Sequence, residues 1–410
     1  MKFSVFSKIT WIFSFGIILT LTINVFMISA QGTVQFVDSG QILGEGLSIH
    51  GVVLTDLDGD GDLDAFIVSP SGHRVWLNDG SGTFSDTGHI LTGGNGAAGD
   101  LGDMDGDGDL DAFVAGGSGV QVWLNDGSGV FSDSGQILGE FGPYDIKLGD
   151  LDGDSDLDAF TAIPVRESGY VYLNDGTGIF TDSEQSFGNV RSPSVGLGDL
   201  DGDGDLDAFH VHENAPSKVW FNDGTGIFTD SGQSFESFPS RDVGLGDLDG
   251  DGDLDAFLAN QGKQNIVWFN DGSGVFSDSG QSLGSSASTS VELGDLDGDG
   301  DLDAFIANED SEPNRVWLND GFGVFSDSGQ IGGAEVSRDV GLGDVDGDGD
   351  LDAFVANAGS GKVWLNSGGP VNGADVNPPN LVDLTQSPNV NSFTSVREFL
   401  SEALILPLPT

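Results

Sequence analysis

The 410-residue sequence contains no cysteine, three tyrosines and three methionines, and its 13 lysines and arginines face 67 aspartates and glutamates. Without cysteine there is no disulfide framework, no thiolate metal site and no cysteine nucleophile. With a formal charge of −54, the chain lacks the Lys and Arg needed to contact nucleic-acid phosphates, and its folded part is unsuited to anionic membrane surfaces. Helical patterning is scarce too: the apolar segments are short and lack a 3.6-residue period.

What is present narrows the field further. Apolar residues make up 37% and there are 66 glycines. That is too apolar for a disordered acidic chain, and the length suffices for a sizeable core. The acidic balance favours cations. Lys2 and Lys8 precede an uncharged run from Ile9 to Ile28, followed by Ile28-Ser29-Ala30. Residues 1–30 read as a secretory signal peptide or, uncleaved, a signal anchor. Either reading places the remainder outside the cytoplasm, secreted or at the extracellular surface.

Clusters such as GDLDGDGDLDAF (294–305) begin at Asp56, Asp103, Asp150, Asp199, Asp247, Asp295 and Asp344, spaced 47, 47, 49, 48, 48 and 49 residues apart. Such a period marks a repeat architecture. One unit holds DVGLGD (242–247), LDAFLAN (254–260), NIVWFNDG (265–272) and GVFSDSGQ (274–281). Each segment is rich in Val, Phe, Trp or Leu and bounded by Gly, Asn or Asp, so the four read as strands, A to D. Asn-Asp-Gly before the last is a hairpin signal. The acidic cluster is the A–B turn.

Seven such units predict an all-β, seven-bladed β-propeller of four-stranded antiparallel blades over residues 31–369. The seventh unit has A at 339–344, B at 351–357 and C at 361–366 but no strand D. The missing piece is at the other end, where TVQFVDSGQILG (33–44) matches GVFSDSGQILG. The N-terminal segment is therefore expected to complete the last blade and close the ring. An open solenoid, the rival reading, would need no displaced strand.

All five aspartates of each cluster are candidate metal ligands: Asp56, Asp58, Asp60, Asp62 and Asp64; Asp103, Asp105, Asp107, Asp109 and Asp111; Asp150, Asp152, Asp154, Asp156 and Asp158; Asp199, Asp201, Asp203, Asp205 and Asp207; Asp247, Asp249, Asp251, Asp253 and Asp255; Asp295, Asp297, Asp299, Asp301 and Asp303; Asp344, Asp346, Asp348, Asp350 and Asp352. Hard oxygens around a glycine at the sixth position suit Ca2+. Positions one, three, five and nine supply carboxylates, and position seven can supply its backbone carbonyl. Up to seven calcium ions are expected, chiefly structural; they would still leave the chain near a charge of about −40. An EF-hand needs Glu at position twelve and flanking helices, whereas apolar strand sequence follows here.

The motif D-x-D-x-D-G-x-x-D in an A–B loop resembles the FG-GAP/VCBS repeat family, which includes the propellers of integrin α subunits. The resemblance covers residues 33–369 and implies calcium-bearing blades. The third cluster departs, with Ser155 where the others have glycine. A strained turn and lower affinity are expected there.

The A–B and C–D turns should share one face and vary little. The B–C loops, such as SPSGHR (69–74), IPVRESGY (163–170) and HENAPSK (212–218), and the D–A loops vary. They are the expected recognition surface for a protein or glycan, as in an adhesion module. Arg74, Arg166, Arg191, Lys218, Arg241, Lys263, Arg315, Arg338 and Lys362 are assigned to that face, and His73 is taken as a solvated loop residue. Trp76, Trp123, Trp220, Trp268, Trp317 and Trp364, with Tyr172, recur in strand C and read as inter-blade packing, as do Phe66, Phe113, Phe160, Phe209, Phe257, Phe305 and Phe354. His210 and His212 alternate on strand B without an evident third metal ligand. No phosphate loop or nucleophile elbow is visible, so no catalytic residue is assigned. A carbohydrate-active enzyme, a polysaccharide lyase or glycosidase on a calcium-bearing propeller, is the alternative. Residues 370–410 read as a linker and a short helix capped by Ser395 and Glu398 and ending by Pro407.

Overall fold

A computed structural model describes residues 33–91, 98–117, 119–163, 169–235, 238–333 and 335–368. The expected leader and tail helix lie outside these residues.

Within them the chain forms seven four-stranded antiparallel sheets arranged as a β-propeller. In the fifth blade, strand A is Ser240–Gly246, B is Asp255–Asn260, C is Ile266–Phe269 and D is Ser277–Asp278. The strands pair in the order A-B-C-D. Strand B is short, apolar and covered on both sides, as in Asp64–Val68, where every residue is buried.

The seventh blade closes as the displaced strand predicts. Asp352–Asn366 runs on continuously. Its first part pairs with strand A (Ser337–Gly343) and its later part with Phe36–Asp38 and Leu43–Ser48. Strand D otherwise varies in length. It reaches Leu91 and Leu138 in blades one and two but stops at Asp182, Asp230 and Asp278 in blades three to five. The longer strands continue through Ile90 and Ile137; the shorter blades have Ser186, Ser234 and Ser282 at that position, which gain less from a strand.

The strand-B phenylalanines pack between blades, as expected. Phe257 meets Phe325 of the next blade edge to face, with centroids 5.4 Å apart. Corresponding pairs occur at all seven junctions, from Phe66–Phe131 to Phe305–Phe36 at the closure. The strand-C tryptophans add to these contacts; Trp268 lies edge-on to Phe235 of the preceding blade.

Candidate metal sites and the loop face

Each A–B loop is shaped by its own carboxylates. In the first, Asp56 accepts N–H bonds from Gly59 (2.8 Å) and Gly61 (3.0 Å), and Asp60 accepts from Asp62 (3.0 Å). The ninth-position Asp64 accepts from Leu57 (3.0 Å) and Asn78 (2.8 Å), fastening the loop to strand C. The sixth-position glycines adopt φ of 96–100°, a region unfavourable for a side chain. Ser155 is forced into it at φ 77°, donating to Asp150 as the glycines do. The strain expected from that departure is present.

Carboxylate oxygens of Asp56, Asp58 and Asp64 lie within 4.8 Å of one another, as do those of Asp103, Asp105 and Asp111, and of Asp150, Asp152 and Asp158. In the fourth and fifth loops the converging groups are Asp199, Asp201 and Asp203, and Asp247, Asp249 and Asp251. The seventh-position side chains point elsewhere. Asp62, Asp109, Asp156, Asp205, Asp253 and Asp301 lie against the glycines of their own blade's C–D turn, filling the space a Cβ would need at Gly80, Gly127, Gly176, Gly224, Gly272 and Gly321. Their carboxylates are thus directed away from the cluster, in keeping with a backbone-carbonyl role at this position.

Burial raises the ninth-position carboxyls: Asp64 to about 6, Asp111, Asp158, Asp207, Asp255 and Asp352 to about 7, and Asp303 to about 8, with neighbouring aspartates adding to the shift. Oδ1 of Asp201 is buried without a hydrogen-bond partner. Converging all-oxygen groups, an unfavourable local charge and an orphaned acceptor together fit a hard divalent cation.

Two sets of side chains clasp neighbouring blades together, and the sequence reading gave neither a role. Asn78, Asn125, Asn174, Asn222, Asn270, Asn319 and Asn366 end strand C, and each donates its amide to the second-position carbonyl of the preceding blade's A–B loop. The glutamines of SGQ and SEQ reach the other way. Gln281 donates to Gly323 O and accepts from Phe325 N–H at 2.9 Å, and Gln41, Gln136, Gln185 and Gln233 do the same at their junctions. In the first blade His89 replaces the glutamine and meets only Phe131, 3.3 Å from its N–H and 3.0 Å from its carbonyl. Recurrence of Asn and Gln at fixed positions was the available signal.

A family model for the FG-GAP-like repeat matches residues 56–114, 103–161, 150–210, 199–257, 247–306 and 295–355. The chain belongs to the FG-GAP-like repeat family. No curated protein matches it. Among solved structures, this FG-GAP propeller is similar to BBS1N, solved in complex with ARL6DN, at 12% identity and a TM-score of 0.57, covering 81% of this chain and 97% of that one. It also matches a lectin from Agrocybe aegerita, solved to explain recognition of non-reducing terminal N-acetylglucosamine. That match has 22% identity, a TM-score of 0.48, and covers 78% of this chain and 87% of the lectin.

The opposite face differs from its sequence reading in two respects. His73 is not a solvated loop residue: it opens strand C (His73–Asn78), is fully buried and stacks on Phe66. Burial lowers its pKa to about 4. Four of the assigned cations sit in or at the start of strand C rather than in free loops. Arg74 pairs with Asp86 (3.7 Å), Arg315 with Asp327 (2.6 Å), Lys362 with Asp38 (3.2 Å), and Lys218 with Asp230, all across to strand D. A basic residue two before each of these tryptophans and an aspartate two after the strand-D phenylalanine generate this pair. Arg166 lies outside the described residues. His210 is buried against Phe160 and Phe187, and His212 places Nδ1 2.7 Å from Pro216 O; both are packed into the blade.

Proposed function

We propose that this FG-GAP propeller is a secreted or surface-exposed binding module. Calcium would occupy the A–B loops as a structural ion, and the B–C and D–A loops would carry recognition of a protein or glycan. The observation that carries the calcium reading is the convergence of three aspartate oxygens within 4.8 Å in each of at least five loops. The carboxylates at positions one, three, five and nine would hold the ion, neutralising charges that otherwise repel. The division of labour between faces rests on uniform turns at one face and varied loops at the other.

Calcium titration by calorimetry on the full chain, with thermal melts in calcium and in chelator, tests the first half. Near seven ions per chain and a large rise in melting temperature are expected; a melt indifferent to chelator would sink it. Exchange of the B–C and D–A loops tests the second half, with loss of captured ligands on a glycan and protein array as the expected result.

A further inference from the structure

Sorting the cations separates scaffold from site. Of the nine described lysines and arginines, four are engaged in the strand C to D pairs above. Lys263 lies in a B–C loop. The other four belong to strand A or the D–A loops leading into it, the innermost elements of the propeller. Lys147 is kept protonated by surrounding carboxylates, chiefly Asp145. Arg338 donates to Nε2 of His50 at 2.9 Å.

Arg191 and Arg241 are placed side by side. Glu213 takes Nη1 of Arg191 on one oxygen (2.7 Å) and Nη2 of Arg241 on the other (3.4 Å). Arg191 also donates to the Tyr144 hydroxyl at 3.1 Å, with its guanidinium 5.1 Å from that ring's centroid. Arg241 donates to Gln261 Oε1 at 2.9 Å. One carboxylate thus orders two guanidinium groups on a chain of −54, and Gln261 in turn donates to Glu309. Each guanidinium has five N–H donors, and these contacts use only some of them. The Arg191 side chain is 39% exposed.

We propose that this arginine pair is the anion-recognising subsite of the loop face and that its ligand is a carboxylate-bearing saccharide. The inference rests on the loop face being the recognition surface. Arginine forks match carboxylates in a bidentate manner. Tyr144 and Phe141, both exposed and in one loop, offer aromatic surface for a sugar ring. The distant negative charge is screened beyond about 8 Å at physiological salt. A uronate chain, with spaced single carboxylates, suffers less repulsion here than a polyacidic peptide.

The test is calorimetry on the full chain in calcium, with short uronate oligosaccharides (of galacturonate, mannuronate and glucuronate), their carboxyl-reduced counterparts and a poly-glutamate peptide. A uronate chain should bind, and carboxyl reduction should weaken it at least tenfold. Arg191→Ala should do the same, and Arg191→Lys, which keeps charge without the fork, should weaken it less while leaving the melting temperature unchanged. Arg315→Ala, in a scaffold pair, should leave affinity intact. Absence of uronate binding, equal binding of the reduced chains, indifference to Arg191→Ala or preference for poly-glutamate would overturn the proposal. A neutral glycan or protein ligand lost on loop exchange would overturn this inference alone; a ligand that survives loop exchange would overturn the loop-face reading as well.

Discussion

The side-chain amide of Asn319 donates to the backbone carbonyl of Leu248 at 2.8 Å, across 71 residues of sequence. Leu248 is the second residue of the fifth A–B loop, so a side chain of the sixth blade holds a candidate metal loop of the fifth. Asn319 also donates its backbone N–H to Asp303, tying two neighbouring loops to one residue. Asn319→Ala removes the amide, which also donates to Leu302 O of the sixth loop at 3.1 Å, and leaves both carbonyls with one partner fewer, a loss of about 1–3 kcal/mol. The expected result is a lower melting temperature and weakened calcium binding at the fifth and sixth loops. Calorimetry resolving two weakened sites among the set would show it; an unchanged isotherm would mean the clasp has no bearing on the loops.

His89 is the weak member of the second set of clasps. A neutral imidazole nitrogen can accept from Phe131 N–H or donate to its carbonyl, never both, whereas glutamine at five other junctions makes a pair of hydrogen bonds. His89→Gln should therefore stabilise the first-to-second junction by about 0.5–1.5 kcal/mol, the worth of one added hydrogen bond. Denaturant melts in saturating calcium would measure it, and a decrease in stability would show that the imidazole is better fitted than the geometry indicates.

Ser155 occupies a left-handed conformation that glycine takes in the other six loops. That conformation costs an L-residue roughly 1–2 kcal/mol, partly offset by the greater unfolded-state freedom of glycine. Ser155→Gly should raise stability by about 0.5–1 kcal/mol and tighten calcium binding at the third loop. Site-resolved titration of the variant against the parent chain would expose either effect.

The repeat, the strand order and the ring closure were legible because each is written in the sequence as a period, a turn or a displaced segment. The acidic A–B loops were legible for the same reason, and three aspartates converge in at least five of them. Less legible was anything that depends on contact between blades. Asn319 read as part of a hairpin signal, and its bond to Leu248 exists only once the neighbouring blade is in place. Arg315 read as a loop cation because it follows NEDSEPN, yet its fate depends on Asp327 lying opposite in strand D. His73 follows a Gly in a loop-like stretch, and nothing local announces that Phe66 covers it.

The ninth-position carboxyls set a pH dependence whose sign differs with and without calcium. Their folded-state pKa values are raised by burial, to about 7 at Asp255 and about 8 at Asp303, above the unfolded value near 3.9. Between these values the folded, metal-free chain binds more protons than the unfolded chain, so its stability falls as pH rises. Glu292, raised to about 8, and Asp339, raised to about 6, act in the same direction. Calcium requires the deprotonated carboxylates, so its binding strengthens over the same range. Melts from pH 5.5, clear of the isoelectric point near 4.1, to pH 8.5 should show the chelated chain losing stability with rising pH while the difference between calcium and chelator widens. A difference that stays constant across that range would mean the buried aspartates are not among the groups that hold the ion.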